Sequence, residues 1–200
     1  MNRTIVVMFV VLITMLCGCE SKKPSAESET DKTAPEFTLT NYEGEIIRLS
    51  AYKGKIVVLE WFNYECPFVK YHYEKAKTMV ELANKYKDKN VVWLAINSTG
   101  HLTTQKTKEF ADKHKFTYPI LDDKTGKTGR TYGAKTTPHM FIIDTEGKIV
   151  YSGAIDNSPL GQKKEGVINY IDKALSELIA GKKISISDVE PYGCSVKYAN

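Results

Sequence analysis

Cys66 follows a nearly unbroken apolar run, Ile56 to Phe62, and directly precedes Pro67. Proline is favoured in the first turn of a helix, so the thiol is expected at a helix amino terminus. There, unpaired N–H groups and the helix dipole favour the thiolate, which is the nucleophilic form. Glu60 interrupts the apolar run six positions before Cys66. A carboxyl held in dry surroundings keeps its proton to higher pH and can act as a proton acceptor. Thr137-Pro138 stands just before a second apolar run, Met140 to Ile143, although a proline there cannot donate to a sheet ladder.

Four cysteines are present, at positions 17, 19, 66 and 194. The first two belong to an amino-terminal segment considered below, which leaves Cys66 and Cys194, 128 positions apart. That separation is compatible with a structural bridge, a catalytic pair or two free thiols. Among the histidines, His72 falls on or beside an apolar helix face and is expected to pack, while His101 and His114 lie in polar surroundings. Gly126-Lys127-Thr128-Gly129 lacks the spacing of a phosphate loop and reads as a turn.

The elements that must position these groups are legible in the hydrophobic pattern. Phe37-Thr38-Leu39 and Ile46 to Leu49 flank Asn41-Tyr42-Glu43-Gly44, the turn chemistry of a hairpin. Ile56 to Phe62 and Val91 to Ile96 read as strands buried on both faces. From Pro67 to about Tyr86 apolar residues recur at three-and-four spacing, which predicts one amphipathic helix. Thr103 and Thr104 can cap a second helix ending near Phe116, and Pro119-Ile120-Leu121 reads as a short strand. Met140–Ile143 and Ile149–Tyr151 flank Thr145-Glu146-Gly147-Lys148 as a further hairpin. A last helix carries Val167, Ile168, Ile171, Ala174, Leu175, Leu178 and Ile179 on one face and ends at Gly181. The pattern predicts one α/β domain: a mixed central sheet sandwiched by helices, with an amino-terminal hairpin extension.

Residues 1–18 read as a signal peptide, with Arg3 in a short head and an apolar run from Ile5 to Leu16 too short to cross a bilayer comfortably. Leu16-Cys17-Gly18-Cys19 resembles the bacterial lipobox, which implies lipidation of Cys19. The mature protein is then expected in a bacterial cell envelope, lipid-anchored on the periplasmic or extracellular face, where disulfides persist. Residues 19–34 hold no large apolar side chain and are expected to be a tether; the domain is expected over 35–200, tail cysteine included. The 28 basic and 24 acidic residues are interspersed without a basic stripe, which argues against a nucleic-acid partner.

Residues 35–62, the Tyr132-Gly133 segment and residues 136–156 resemble the thioredoxin-fold AhpC/TSA and redoxin families, including TlpA-type envelope thiol oxidoreductases. The likeness covers about residues 35–181. It implies a thioredoxin-like fold in which Thr137-Pro138 forms a cis-proline loop against the active cysteine. It also aligns Glu60 with the acidic residue six positions before the first cysteine of a CxxC, so that Cys66 takes the place of that cysteine. The second CxxC position is Val69, so the usual local disulfide cannot form. Leu59 and Asn63 stand where the peroxiredoxin PxxxTxxC motif has proline and threonine. Residues 63–73 and Tyr192 to Tyr198 are more similar still to a peroxiredoxin-like branch with one active-site cysteine and a GCS(I/V)K tail.

The resemblance implies a thiol:disulfide oxidoreductase with Cys66 as nucleophile, Glu60 handling protons, and Thr137, Pro138 and His139 lining the substrate groove. His139, next to the cis-proline candidate, is expected near Cys66. As a cation it would favour the thiolate, and as a neutral imidazole it could bind metal. Cys194, on a mobile tail, is expected either to resolve the Cys66 intermediate or to staple the tail, within one chain or between two. The partners are a protein disulfide or a small thiol or peroxide, and an upstream reductant of the thioredoxin type, with no cofactor and no metal expected. Two alternatives stand beside this: a peroxiredoxin-like thiol peroxidase, and a Sco-like copper-binding module using Cys66 and His139.

Overall fold

The computed structural model describes residues 30–199. The expected signal peptide (1–18), Cys19 and the tether up to residue 29 lie outside the described residues. Seven strands form one sheet in the order β2-β1-β5-β4-β3-β7-β8. They are β1 (Thr38–Asn41), β2 (Ile46–Arg48), β3 (Ile56–Trp61), β4 (Val91–Asn97), β5 (Ile120–Asp122), β7 (His139–Ile143) and β8 (Ile149–Gly153). A separate two-stranded ladder joins β6 (Thr136–Thr137) to β9 (Cys194–Ser195).

The sheet is mixed for a sequence reason. Strands β3, β4 and β5 run parallel and are linked by helical crossovers. β7 and β8 pair antiparallel through the short turn at Thr145–Gly147, and β7 pairs antiparallel with β3. The amino-terminal hairpin β1/β2 extends the far edge, its turn held by the Asn41 carboxamide oxygen, which accepts the Glu43 and Glu45 N–H groups. Every residue of β3 is buried, as a central strand covered on both faces requires. Two apolar layers result. One holds Val58, Cys66, Tyr73, Met79, Trp93 and Met140; the other holds Leu59, Trp61, Leu94, Tyr132 and Phe141.

The helices depart from the sequence pattern in three places. Instead of one helix over 67–86 there is a short α1 (Pro67–Lys70), a wide π-type turn (Tyr71–Lys75), and α2 (Thr78–Tyr86) after a left-handed Lys77. The wide turn lets adjacent His72 and Tyr73 both face inward, at 0% and 3% exposure, where a regular helix would turn one of them away. Helix α3 (Thr104–His114) starts as expected, with the Thr103 hydroxyl accepting the Lys106 N–H. A short α4 (Lys127–Thr131) follows Gly126, where a turn was expected; buried Asp123 takes its first N–H groups, from Thr128 and Gly129. Helix α5 (Tyr170–Ile179) begins later than the apolar pattern suggested, leaving Val167 and Ile168 exposed in the preceding loop.

Within the stretch expected as a tether, Asp31 and Ala34 already donate to the Ile149 and Gly147 carbonyls. The carboxy-terminal segment likewise adheres to the body. Ser187 and Val189 bond to Ser152 on the outer strand, and the chain then crosses to β6.

Candidate active site

Cys66 is the residue before the first turn of α1, and its carbonyl accepts the Lys70 N–H. It is 2% exposed, and its S–H donates to the Thr137 carbonyl at 2.9 Å. The Thr137-Pro138 peptide bond is cis, and the bond from Cys66 to the Thr137 carbonyl places the loop before β7 against Cys66, as the family resemblance implied. Thr137 is buried and its hydroxyl has no hydrogen-bond partner among the described residues.

The tail completes the site. β9 runs antiparallel to β6 with Thr137 opposite Cys194 and Thr136 opposite Ser195. The carbonyl that receives the Cys66 proton thus belongs to the residue paired with Cys194. Both cysteines are free thiols. Burial, then a hydrogen bond to Cys66 and the charge of Cys66, push the Cys194 thiol up to about 11, with Lys197 opposing. Cys194 therefore keeps its proton at neutral pH while in contact with Cys66. Gly193 lies at φ 140°, and a Cβ there would stand 2.2 Å from the Thr137 oxygen. Only a glycine allows this close crossing of the cis-proline loop.

A mobile tail was expected, but residues 192–199 are docked. Val196 N–H donates to Lys135, Gly100 N–H donates to the Lys197 carbonyl, and the Tyr198 hydroxyl donates to Ala134. Arg130 covers the Tyr198 ring at 4.6 Å and donates to the Ala199 carbonyl. Further up the tail, Tyr192 lies between Phe68 and His72; its hydroxyl bonds to His72 Nε2 at 2.8 Å and to Asp156 Oδ1 at 2.7 Å.

Glu60 is fully buried, and the three aromatic residues that bond to it belong to the same layer as Cys66. Its carboxylate accepts from Tyr73 at 2.6 Å, Trp93 at 3.0 Å and Tyr118 at 3.5 Å. Burial raises it to about 7 despite these three donors. The aromatic residues, not the thiols, take up its oxygens, so proton transfer between Glu60 and Cys66 has no direct hydrogen bond to follow. Nothing local in the sequence links Tyr73 and Tyr118 to Glu60, because Tyr73 comes from the wide turn after α1 and Tyr118 from the loop before β5.

His139 corrects an expectation. It is Trp61's partner in the ladder and packs on Phe141 at 4.4 Å, on the sheet face opposite the Cys66 layer. Strand alternation sends Met140, not His139, toward the cysteine. Its ring nitrogens are already engaged, Nδ1 by the Lys135 N–H and Nε2 by the Ser152 hydroxyl. Burial, and then the charge of Lys135, lower it to about 3, so it is neutral. Cys66 and His139 consequently form neither the cation–thiolate pair nor the copper site considered from the sequence, and no group of three or more metal-binding side chains occurs among the described residues. A cavity of about 250 Å³ lies between β1, the end of β4 and α3, lined by Tyr42, Asn97, Thr99 and Thr107; neither cysteine borders it.

A mixed sheet with helices on both faces, and a helix-start cysteine against a cis-proline loop, define a thioredoxin-fold thiol protein. The chain belongs to the AhpC/TSA family, whose model matches residues 30–152. It is 30% identical over 148 residues to the thiol-disulfide oxidoreductase ResA of Bacillus thuringiensis, covering 70% of this chain and 83% of that protein. The crystal structure of an uncharacterized conserved protein from Geobacillus kaustophilus is 31% identical, with a TM-score of 0.77 over 85% of this chain and 92% of the other. The thioredoxin domain of a thiol-disulfide oxidoreductase from Bacteroides vulgatus shares the fold at 22% identity, with a TM-score of 0.54 over 62% of this chain and 86% of that one.

Proposed function

We propose that the protein is an envelope thiol:disulfide oxidoreductase in which Cys66 attacks and Cys194 resolves. The observation that carries this is the register of β6 and β9: Thr137 bonds Cys66 through its carbonyl and faces Cys194 across the ladder. The name carried by the Bacillus relatives supports the same chemistry.

The cycle balances without a cofactor. The Cys66 thiolate attacks one sulfur of a substrate disulfide, forming a mixed disulfide and expelling the other sulfur as a thiolate. Cys194 passes its proton to the substrate thiolate expelled in the first step and attacks Cys66 Sγ, so the substrate's second sulfur leaves as a thiolate and the Cys66–Cys194 disulfide remains. The substrate gains two electrons and the cysteine pair gives them up. A dithiol reductant of the thioredoxin type restores the pair by the same exchange in reverse. Thr137 and Pro138 shape the surface that a substrate meets. Glu60 sets a protonation change near neutral pH in the core layer behind the cysteine.

The lipobox-like Leu16-Cys17-Gly18-Cys19 supports anchoring through a lipid on Cys19, with the polar residues that follow it as spacer, and hence an extracytoplasmic site of action. Mass-spectrometric mapping of the mature protein across graded redox buffers tests the pair. A Cys66–Cys194 bond opening between about −120 and −270 mV fits catalytic exchange, whereas one that stays closed below about −300 mV makes it a structural staple.

A further inference from the structure

Tyr192, Asp156 and His72 have no role in the reading above, yet they connect the two halves of the thiol pair. Tyr192 stands two residues before Cys194, and Phe68, on which its ring packs at 5.8 Å, stands two residues after Cys66. His72 is fully buried on the turn that continues α1, and Asp156, beyond the end of β8, is 8% exposed.

The hydrogen bonds run in one direction. Asp156 can only accept when ionised, so the Tyr192 hydroxyl donates to it at 2.7 Å. That leaves the Tyr192 oxygen to accept from His72 Nε2–H at 2.8 Å, and His72 Nδ1 to accept from the Thr78 hydroxyl at 3.2 Å. A neutral His72 satisfies this chain, and burial lowers its pKa in agreement. Thr78, His72, Tyr192 and Asp156 thereby tie α1, α2, the end of β8 and the tail to one point.

We propose that Asp156, Tyr192 and His72 form a latch whose function is to hold Cys194 in register for attack on Cys66. The inference rests on the resolving role proposed above. The latched tyrosine orders the tail just ahead of Gly193, where the chain must cross the Thr137 carbonyl to bring Cys194 opposite it. In the resolving step Cys194 Sγ bonds to Cys66 Sγ, and the substrate sulfur leaves Cys66 with the electron pair. The three latch residues exchange no proton or electron with the sulfurs, so they are positioning residues.

The test is the equilibrium between the Cys66–Cys194 disulfide and glutathione in the full-length protein, compared with Tyr192→Phe, which keeps the ring and deletes both hydrogen bonds. The latch predicts that the effective concentration of Cys194 at Cys66 falls about tenfold, as for one charge-assisted hydrogen bond. Asp156→Ala, which deletes the acceptor, should do the same, and in the Tyr192→Phe background it should add little. A merely structural tyrosine would lower the unfolding temperature of the reduced and disulfide forms equally and leave the effective concentration unchanged. A fall of less than about threefold in both variants overturns the latch while leaving the thiol chemistry standing. Failure of the unsubstituted protein to form the Cys66–Cys194 bond overturns both.

Discussion

The two cysteines are held by opposite means. Cys66 sits where β3 passes into α1, fixed by a strand whose every side chain is buried and by a core layer of aromatic and aliphatic residues. Cys194 lies on a two-residue strand outside the main sheet, partly exposed and fastened by separate polar contacts at Tyr192, Val196, Lys197 and Tyr198. Packing distributes its support over many neighbours, whereas a tail held by individual hydrogen bonds can be loosened one bond at a time. Cys66 is therefore built into the fold, and Cys194 is attached to it.

That contrast sets the expected effects. Cys66→Ser should reduce disulfide-reductase turnover by about a thousandfold or more, and Cys194→Ser should instead trap the mixed disulfide before the first turnover is complete. Mass spectrometry of the protein after mixing with a disulfide substrate separates the two, and equal losses without a trapped adduct would erase the distinction.

Glu60 probes the body side. Its carboxyl titrates at about 7 in the fold against 4.5 outside it. Between those values the folded chain holds a proton that the unfolded chain has lost. Stability is thus greatest below the unfolded value, declines as pH rises through the folded one, and levels off above it, by about 3 kcal/mol in all. Urea titrations across that range should show the decline in the parent protein and a nearly flat profile in Glu60→Gln.

Gly193→Ala probes the tail side. The new methyl collides with the Thr137 carbonyl, so the tail must shift, with a stability loss of about 2 kcal/mol. Alkylation of Cys66 by a small reagent should become faster, and unchanged alkylation would mean that the tail does not shield it. Thr103→Ala, which removes the cap of α3, should cost about 1 kcal/mol in thermal unfolding and leave thiol turnover untouched. A drop in turnover there would show that the body and the site are less separate than the packing implies.

Much of the body was readable because periodicity reports burial. The continuous apolar runs at 56–62 and 91–96 became β3 and β4, and the Asn41 turn produced the hairpin. Two failures have a local cause. The helix over 67–86 broke because a wide turn buries His72 and Tyr73 together. The short α4 was missed because its cap, Asp123, acts on residues five and six positions later, beyond the usual capping spacing. His139 was misplaced because adjacency in sequence to Pro138 says nothing about which side of the sheet a side chain takes, and alternation decided it.

Residue types and their spacing are enough to show which groups could react: a cysteine before a proline, a carboxyl in an apolar strand, a Thr-Pro pair ahead of a strand, and a glycine–cysteine pair near the end of the chain. Each is a local feature of residue type and spacing. It takes the folded chain to show that Cys194 meets Cys66 across the Thr137 carbonyl, that Glu60 is enclosed by Tyr73, Trp93 and Tyr118, and that Tyr192 bonds to Asp156 and His72. Those contacts join positions between 13 and 128 residues apart, and pairings at such separation arise when the sheet brings distant segments into one layer.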